Sequence, residues 1–270
     1  MLINIGYDIA YTATQRTPMV VMLSVHPSRL ADVVGAEQIV CNPPTPVSYY
    51  RDSFGNQCGR LMIPDGRLQL SSRGQVRDSG MPDAVAPDAV QIPVENLPDD
   101  IIQFLLASRY CEIDRMMDLA WSLFKDTPMG WGRVQAICDY VHSHVTFGYQ
   151  FAAPTKSAHD VHAERHGVCR DFAHLAVTLC RCMNIPARYC TGYLGDIGVP
   201  PDPAPMDFSA WFEVYLSGHW YTFDARHNHP RIGRILMGRG RDAADVPLST
   251  CFGPTQLVEF KVYTDEAVNA

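Results

Sequence analysis

The sequence has no cluster of lysines and arginines, and its 29 acidic residues outnumber its 22 basic ones. Nucleic-acid-binding surfaces need the opposite balance, so the formal charge of -7 argues against a nucleic-acid partner. The chain also lacks an apolar run of the roughly 18 residues that a membrane-spanning helix requires. Its N-terminal segment carries Asp8 and no basic residue before it, so no signal peptide and no membrane partner are predicted.

Cysteine spacing of the disulfide-framework type is also missing. The nine cysteines are odd in number and follow no framework pattern, which favours free thiols in a reducing, cytoplasmic compartment. No internal repeat and no low-complexity segment is present. The composition does offer apolar material, since 47% of the residues are hydrophobic and 10% are aromatic. This is enough for the core of one large or two modest globular domains.

Strand-like and helix-like patterns occupy different parts of the chain. Short alternating apolar runs separated by turn signals predict an antiparallel β domain, arranged as a sandwich, over residues 1–80. Residues 81–98 are rich in proline and aspartate without periodicity, which is typical of a linker. Helical periodicity begins near residue 99, and strand-like runs return later. The prediction is an α+β chain whose core covers 99–270 and includes the C-terminal strands.

The most informative segment is 167–193, which contains Cys169 at the predicted start of a buried helix. Apolar residues recur at helical spacing and Pro186 prevents continuation, so we predict a helix from about 169 to 183. A thiol at a helix N-terminus lies beside unpaired backbone N–H groups and the positive end of the helix dipole. Both favour the thiolate, and the N–H groups can also stabilise an oxyanion. Cys169 is therefore a candidate nucleophile.

A β-hairpin is predicted downstream of this helix. The runs FSAWFEVYL at 208–216 and HWYTFDA at 219–225 alternate like strands, and a two-residue turn joins them. This turn fixes the strand register and places Asp224 on the same face as Ser209. Acyl chemistry at a thiol needs a base and an acidic residue that orients the base. We expect the hairpin to supply them.

These segments resemble a known family. GVCRDFAHLAVTLCRCMNIPARYCTGYL at 167–194 and DFSAWFEVYLSGHWYTFDARHN at 207–228 are similar to the transglutaminase-like core of bacterial proteins described as candidate cysteine proteases. The β domain resembles the N-terminal domain that accompanies this core. The resemblance implies a papain-like core, in which a nucleophile helix packs on an antiparallel sheet. It also implies a peptide or amide substrate, with Cys169 as nucleophile, Asp224 as third triad member and Tyr149 as an aromatic lining residue.

One position departs from the family pattern. The family's catalytic histidine directly precedes Ala-Trp, and Ser209 stands there, with a hydroxyl that cannot accept a proton near neutral pH. In a first hypothesis the chain is a thiol-dependent amidase, protease or acyltransferase, and another histidine reaches Cys169. His227 is nearest by sequence and His229 is next. In a second hypothesis the site is catalytically silent and binds a ligand or partner.

Other patterns carry weaker hypotheses. A metal-dependent hydrolase would use a run of ligand-type residues whose helical placement makes convergence difficult: His159, His162, His166 and Cys169. We predict no metal and no cofactor. Asp207 and Glu213 lie six residues apart on a strand, about 20 Å, which is too far for a glycosidase pair. Edge strands at both termini would allow copies of the chain to pair as a homo-oligomer.

Overall fold

The computed structural model describes residues 1–267, and the predicted α+β class is confirmed. The strands are β1 Leu2–Ala13, β2 Thr17–Val21, β3 Val33–Val34, β4 Val40–Asn42, β5 Ser48–Arg51, β6 Gln57–Ile63, β7 Gly66–Arg77, β8 Thr146–Phe147, β9 His166–Gly167, β10 Ala187–Tyr193, β11 Ser209–Leu216, β12 His219–Phe223, β13 Ile235–Gly240, β14 Ser249–Cys251 and β15 Thr255–Glu266. The helices are α1 Asp99–Ile102, α2 Ile113–Phe124, α3 Trp131–His144, α4 Ala158–Glu164 and α5 Cys169–Cys182.

Two antiparallel sheets form the N-terminal part of the fold. One has the strand order β15-β1-β7-β3, with β4 also paired to β7, and the other has the order β14-β2-β6-β5. Alternate residues of β1 face inward, as the period of a half-buried strand predicts. They share one apolar core with side chains of the second sheet: Ile3, Ile5, Tyr7, Ile9, Met19, Val21, Leu61 and Ile63. The predicted sandwich is therefore present.

The C-terminal strands correct the predicted division of the chain. We assigned them to the core over 99–270, but β15 pairs with β1 along nearly its whole length, from Ile3 opposite Glu266 to Ala13 opposite Thr255. The short strand β14 pairs with β2 in the same way. Register between such distant segments depends on long-range pairing, which local periodicity does not encode. Strand β15 is an edge strand, and its free edge is where a second copy of the chain would pair. This homo-oligomer stays a prediction.

The core carries a third antiparallel sheet with the order β12-β11-β10-β13 and helices packed on one face. Helix α5 lies against β10 and β11, and α2, α3 and α4 surround it. Its side chains are almost all buried, because apolar residues from the sheet and from the other helices cover them. This is the predicted papain-like arrangement of a helix on an antiparallel sheet. Within residues 1–267, no helix is both long and apolar enough to cross a membrane.

Candidate active site

The N-terminus of α5 positions Cys169. The chain enters the helix through Gly167, where a Cβ would lie 2.6 Å from the Asp171 Cβ, so only glycine fits without displacement. The Val168 N–H donates to Asp171 Oδ2 at 2.9 Å and closes the first turn. The N–H groups of Asp171 and Phe172 bond to the Val168 carbonyl. Among the described residues, the N–H groups of Cys169 and Arg170 have no such acceptor, so they can donate hydrogen bonds to an oxyanion.

Cys169 lines a cavity of about 640 Å³. The cavity lies where the N-terminus of α5 meets β10, β11 and the segment that leads into β14. Most of its wall is apolar or aromatic: Tyr110, Tyr149, Ala152, Ala153, Pro154, Tyr189, Phe208, Val246, Pro247 and Leu248. Polar groups are few, and among them Asp207 and Arg170 are charged. Concave apolar sites with a few convergent polar groups are the usual form of small-molecule sites.

The electrostatics of the thiol differ from the sequence-based expectation. We predicted that the helix N-terminus would favour the thiolate, but burial raises the pKa of the Cys169 thiol to about 11. The carboxylate of Asp207 raises that pKa further, whereas Arg226 and a hydrogen bond from the Ala210 N–H oppose the rise. Desolvation disfavours the anion more strongly than one helix end favours it. Near neutral pH the free protein therefore carries a thiol that needs a proton acceptor.

Asp224 follows β12 and lies at the centre of a buried charge network. Its Oδ2 accepts hydrogen bonds from His227 Nδ1 at 2.8 Å and from Arg234 Nη2 at 2.9 Å. Its Oδ1 accepts from the N–H groups of Arg226 and His227, which folds the segment after β12 into a turn. Burial alone would raise the pKa of Asp224, but Arg234 and His227 hold it well below its usual range. Arg234 also bonds Asp83 of the predicted linker.

The structure brings His227 to Asp224 but not into the Cys169 cavity. His227 lines a smaller neighbouring cavity of about 90 Å³, together with Arg226 and Arg231. The two cavities share the wall formed by Tyr149, Asp207, Phe208 and Ser209. His229 is exposed and bonds the His227 carbonyl, and neither histidine lines the cavity that contains Cys169. The catalytic roles assigned to Cys169, Asp224 and His227 therefore stay predictions.

Ser209 begins β11 opposite Gly192 of β10. It lines both cavities, as expected for the position that resembles the family's histidine. Its hydroxyl is buried and, within residues 1–267, has no hydrogen-bond partner. A buried hydroxyl without a partner is uncommon and leaves a donor and an acceptor for a bound ligand.

Two residues near the thiol were missed as parts of this site. Asp207 was considered only as a glycosidase carboxylate, although it lies two positions before Ser209 and lines the same cavity. Arg226 follows the Asp224 strand, and its guanidinium lies 3.7 Å from the Phe147 ring centroid. Nothing in the local sequence indicates that the Arg226 charge lowers the pKa of Asp207 and Cys169, because the turn after Asp224 sets its position.

The histidine run before Cys169 does not converge. His159 lies near Arg115, while His162 accepts or donates a hydrogen bond with the Tyr140 hydroxyl at 2.9 Å. His166 stacks on Phe151 with 4.1 Å between ring centroids. Across residues 1–267, no three histidine, cysteine or acidic side chains are grouped closely enough to hold a metal ion.

Comparisons with known proteins agree with this geometry. The family model described as the transglutaminase-like superfamily matches residues 119–225, from α2 to just past Asp224. A solved structure from Cytophaga hutchinsonii, described as a candidate cysteine protease, is 30% identical to the chain. It aligns with a TM-score of 0.85 over 100% of this chain and 92% of that chain. The chain belongs to the transglutaminase-like superfamily.

Curated relatives of this transglutaminase-like chain match it over shorter stretches. An uncharacterized protein of Mycobacterium leprae is 36% identical over 83 residues, 30% of this chain and 29% of that protein. An uncharacterized protein of Mycobacterium tuberculosis strain H37Rv is 32% identical over 115 residues, 38% of this chain and 37% of that protein. The matched stretches thus span only about a third of these curated relatives.

Proposed function

We propose that this transglutaminase-like protein is a cysteine enzyme that attacks amide or peptide carbonyls through Cys169. The observation that carries the proposal is the thiol at the N-terminus of α5, open to a cavity of about 640 Å³. A nucleophile needs space for an acyl group beside it and donors for the oxyanion, and both are available at this position.

The reaction begins with transfer of the Cys169 proton to a base as the sulfur attacks the carbonyl carbon. The new C–S bond gives a tetrahedral oxyanion next to the N–H groups of Cys169 and Arg170, and collapse breaks the C–N bond. The leaving amine takes up a proton, and a thioester remains on the sulfur. Water or a second amine then attacks the thioester, which gives hydrolysis or acyl transfer and restores the thiol.

Asp224 and His227 are predicted to act as orienting acid and base in this reaction. Their hydrogen bond at 2.8 Å supports the pairing, because a carboxylate at Nδ1 leaves Nε2 as the exchangeable position. Access from His227 to Cys169 would have to cross the wall shared by the two cavities. The Asp224–His227 pair therefore stays the sequence-based prediction for the acid and base, and substitution of His227 tests it.

The cavity wall favours an apolar or aromatic acyl group. Tyr110, Tyr149, Tyr189 and Phe208 surround the space next to the sulfur, and apolar residues from the segment before β14 close one side. Burying such an acyl group contributes about 25 cal/mol per Å² of apolar surface removed from water. We propose hydrophobic amides or peptides as substrates.

One observation favours a second function, a non-catalytic binding protein. The thiol has a pKa of about 11, and no histidine lines its cavity among the described residues. Under this alternative, the cavity would bind an apolar ligand through the same wall, and the unpartnered Ser209 hydroxyl would bind a polar atom of that ligand.

Acylation by a reactive amide distinguishes the two functions. We expect butyryl-p-nitroanilide to release nitroaniline and leave a butyryl group on Cys169, located by peptide mass spectrometry and removed by hydroxylamine. Cys169→Ala should abolish both signals, whereas Cys251→Ala, at another half-buried cysteine outside the cavity, should retain them. Binding of the anilide without any adduct would instead support the binding protein.

We also propose that the protein works in a reducing compartment such as the cytoplasm. All nine cysteines of the chain are free. Burial raises the pKa of several of these thiols, which suits apolar core residues that never pair. Unchanged thermal stability under reducing and oxidising conditions would agree with this proposal.

A further inference from the structure

The candidate nucleophile has no obvious proton acceptor, because the position that resembles the family's histidine is Ser209. A serine hydroxyl does not accept a proton near neutral pH. The imidazole of His227 is bonded to Asp224 and lines the neighbouring cavity. Any group that accepts the Cys169 proton directly has to face the cavity in which the sulfur lies.

One carboxylate lines that cavity among the described residues, and it belongs to Asp207. Asp207 lies two positions before Ser209, which begins β11, and both residues line the Cys169 cavity. No ion pair to its carboxylate occurs within residues 1–267, in contrast to Asp224. The other charged lining residue, Arg170, is committed to Asp171 and to the Ala153 carbonyl.

We propose that Asp207 is the proton acceptor for Cys169. The proposal rests on the function proposed above. As the sulfur attacks the carbonyl carbon, the S–H bond breaks and an O–H bond forms on the Asp207 carboxylate. When the tetrahedral intermediate collapses, the same proton passes to the departing nitrogen and the C–N bond breaks. Water that attacks the thioester gives its proton to Asp207, and the released sulfur takes this proton back.

The charges around the thiol agree with this role. Burial raises the pKa of Asp207, which brings the carboxyl closer to the range where a general base works well. The negative charge of Asp207 in turn raises the pKa of the Cys169 thiol. Tyr149 and Tyr189 also line the Cys169 cavity, whereas Arg226 and Asp224 act on the thiol only through their charges. Arg226 lowers the pKa of both Cys169 and Asp207.

Asp207→Asn tests whether Asp207 acts as a base or has only a structural role. If Asp207 is the base, the substitution should make Cys169 easier to alkylate but slower to cleave an amide. Removal of the negative charge lowers the thiol pKa, so the midpoint of Cys169 alkylation by iodoacetamide should shift to lower pH. Loss of a base should slow release of nitroaniline from butyryl-p-nitroanilide by about 100- to 10,000-fold. Acylation by p-nitrophenyl butyrate should fall less, since nitrophenolate leaves without a proton. Asp207→Glu should recover part of the anilide activity.

Asp65→Asn, at an exposed turn between β6 and β7, is the matched control and should leave both measurements unchanged. If Asp207→Asn releases nitroaniline at the wild-type rate, or if only His227→Asn slows it, Asp207 is not the acceptor. If the wild type itself forms no Cys169 adduct, the proposed function has failed rather than the assignment of the base alone.

Discussion

Two carboxylates near the candidate active site, Asp207 and Asp224, have opposite surroundings. Asp224 is buried against Arg234 and His227, and these partners hold its pKa well below the usual range. Asp207 is half-buried in the wall of the Cys169 cavity without an ion-pair partner within residues 1–267, and burial raises its pKa. A carboxylate that is fully paired keeps its charge and orders the chain around it. A desolvated carboxylate without an ion-pair partner remains available to exchange a proton.

The largest expected effect is on stability and comes from Arg234→Met. This substitution leaves Asp224 buried with one fewer charged partner and also frees Asp83. Removing one member of a buried pair typically costs about 3 to 5 kcal/mol of the free energy of unfolding. Urea denaturation measures the loss. Arg67→Met, which breaks an exposed pair with Glu259 at 2.6 Å, should change the free energy of unfolding far less, because solvent screens the pair. Equal losses for the two variants would contradict the contrast between paired burial and surface pairing.

A smaller loss is expected from His227→Ala. It removes a hydrogen bond to the charged Asp224, and such bonds contribute about 1.5 to 3 kcal/mol. Arg234 remains in place, so the carboxylate stays paired. The exposed His219 at the hairpin turn provides the matched control His219→Ala, which should be nearly neutral. A neutral His227→Ala variant would mean that this imidazole does not contribute to the network.

The smallest effect is the pH dependence of stability, which should have opposite signs at the two carboxylates. The lowered pKa of Asp224 gives stability that is present above the unfolded-state value of about 3.9 and is lost as the pH falls toward the folded-state value. The raised pKa of Asp207 gives stability that is present below about 3.9 and is lost as the pH rises through its folded-state pKa. Urea denaturation between pH 3 and 8 should show that Asp224→Asn flattens the acidic limb. Asp207→Asn should raise stability toward neutral pH, and a shared sign would contradict the comparison.

Local sequence was sufficient where local geometry decides the structure. The predicted helix from about 169 to 183 is α5, which runs from Cys169 to Cys182. The two-residue turn at Ser217 and Gly218 has positive φ at both residues, and it sets the hairpin register that was predicted. This register carries Asp224 to its position at the end of β12.

Long-range contacts decided what could not be predicted. Asp224 pairs with Arg234, which lies ten residues later. Arg234 in turn pairs with Asp83 of the predicted linker. The thiol pKa depends on how completely the cavity excludes water from Cys169, which no motif reports. The strand β15 pairs with the first strand of the chain, and periodicity alone cannot choose between that edge and the core sheet.

The pairing of β1 with β15 has a consequence for how this protein is made. Strand β1 is synthesised well before β15, so one of its edges is completed only when residues 255–266 have been synthesised. The whole papain-like core is translated in between, so the nascent N-terminal strands expose an unpaired edge throughout that interval. The sheet that contains β1 can therefore be completed only after translation of the core, when β15 pairs with β1.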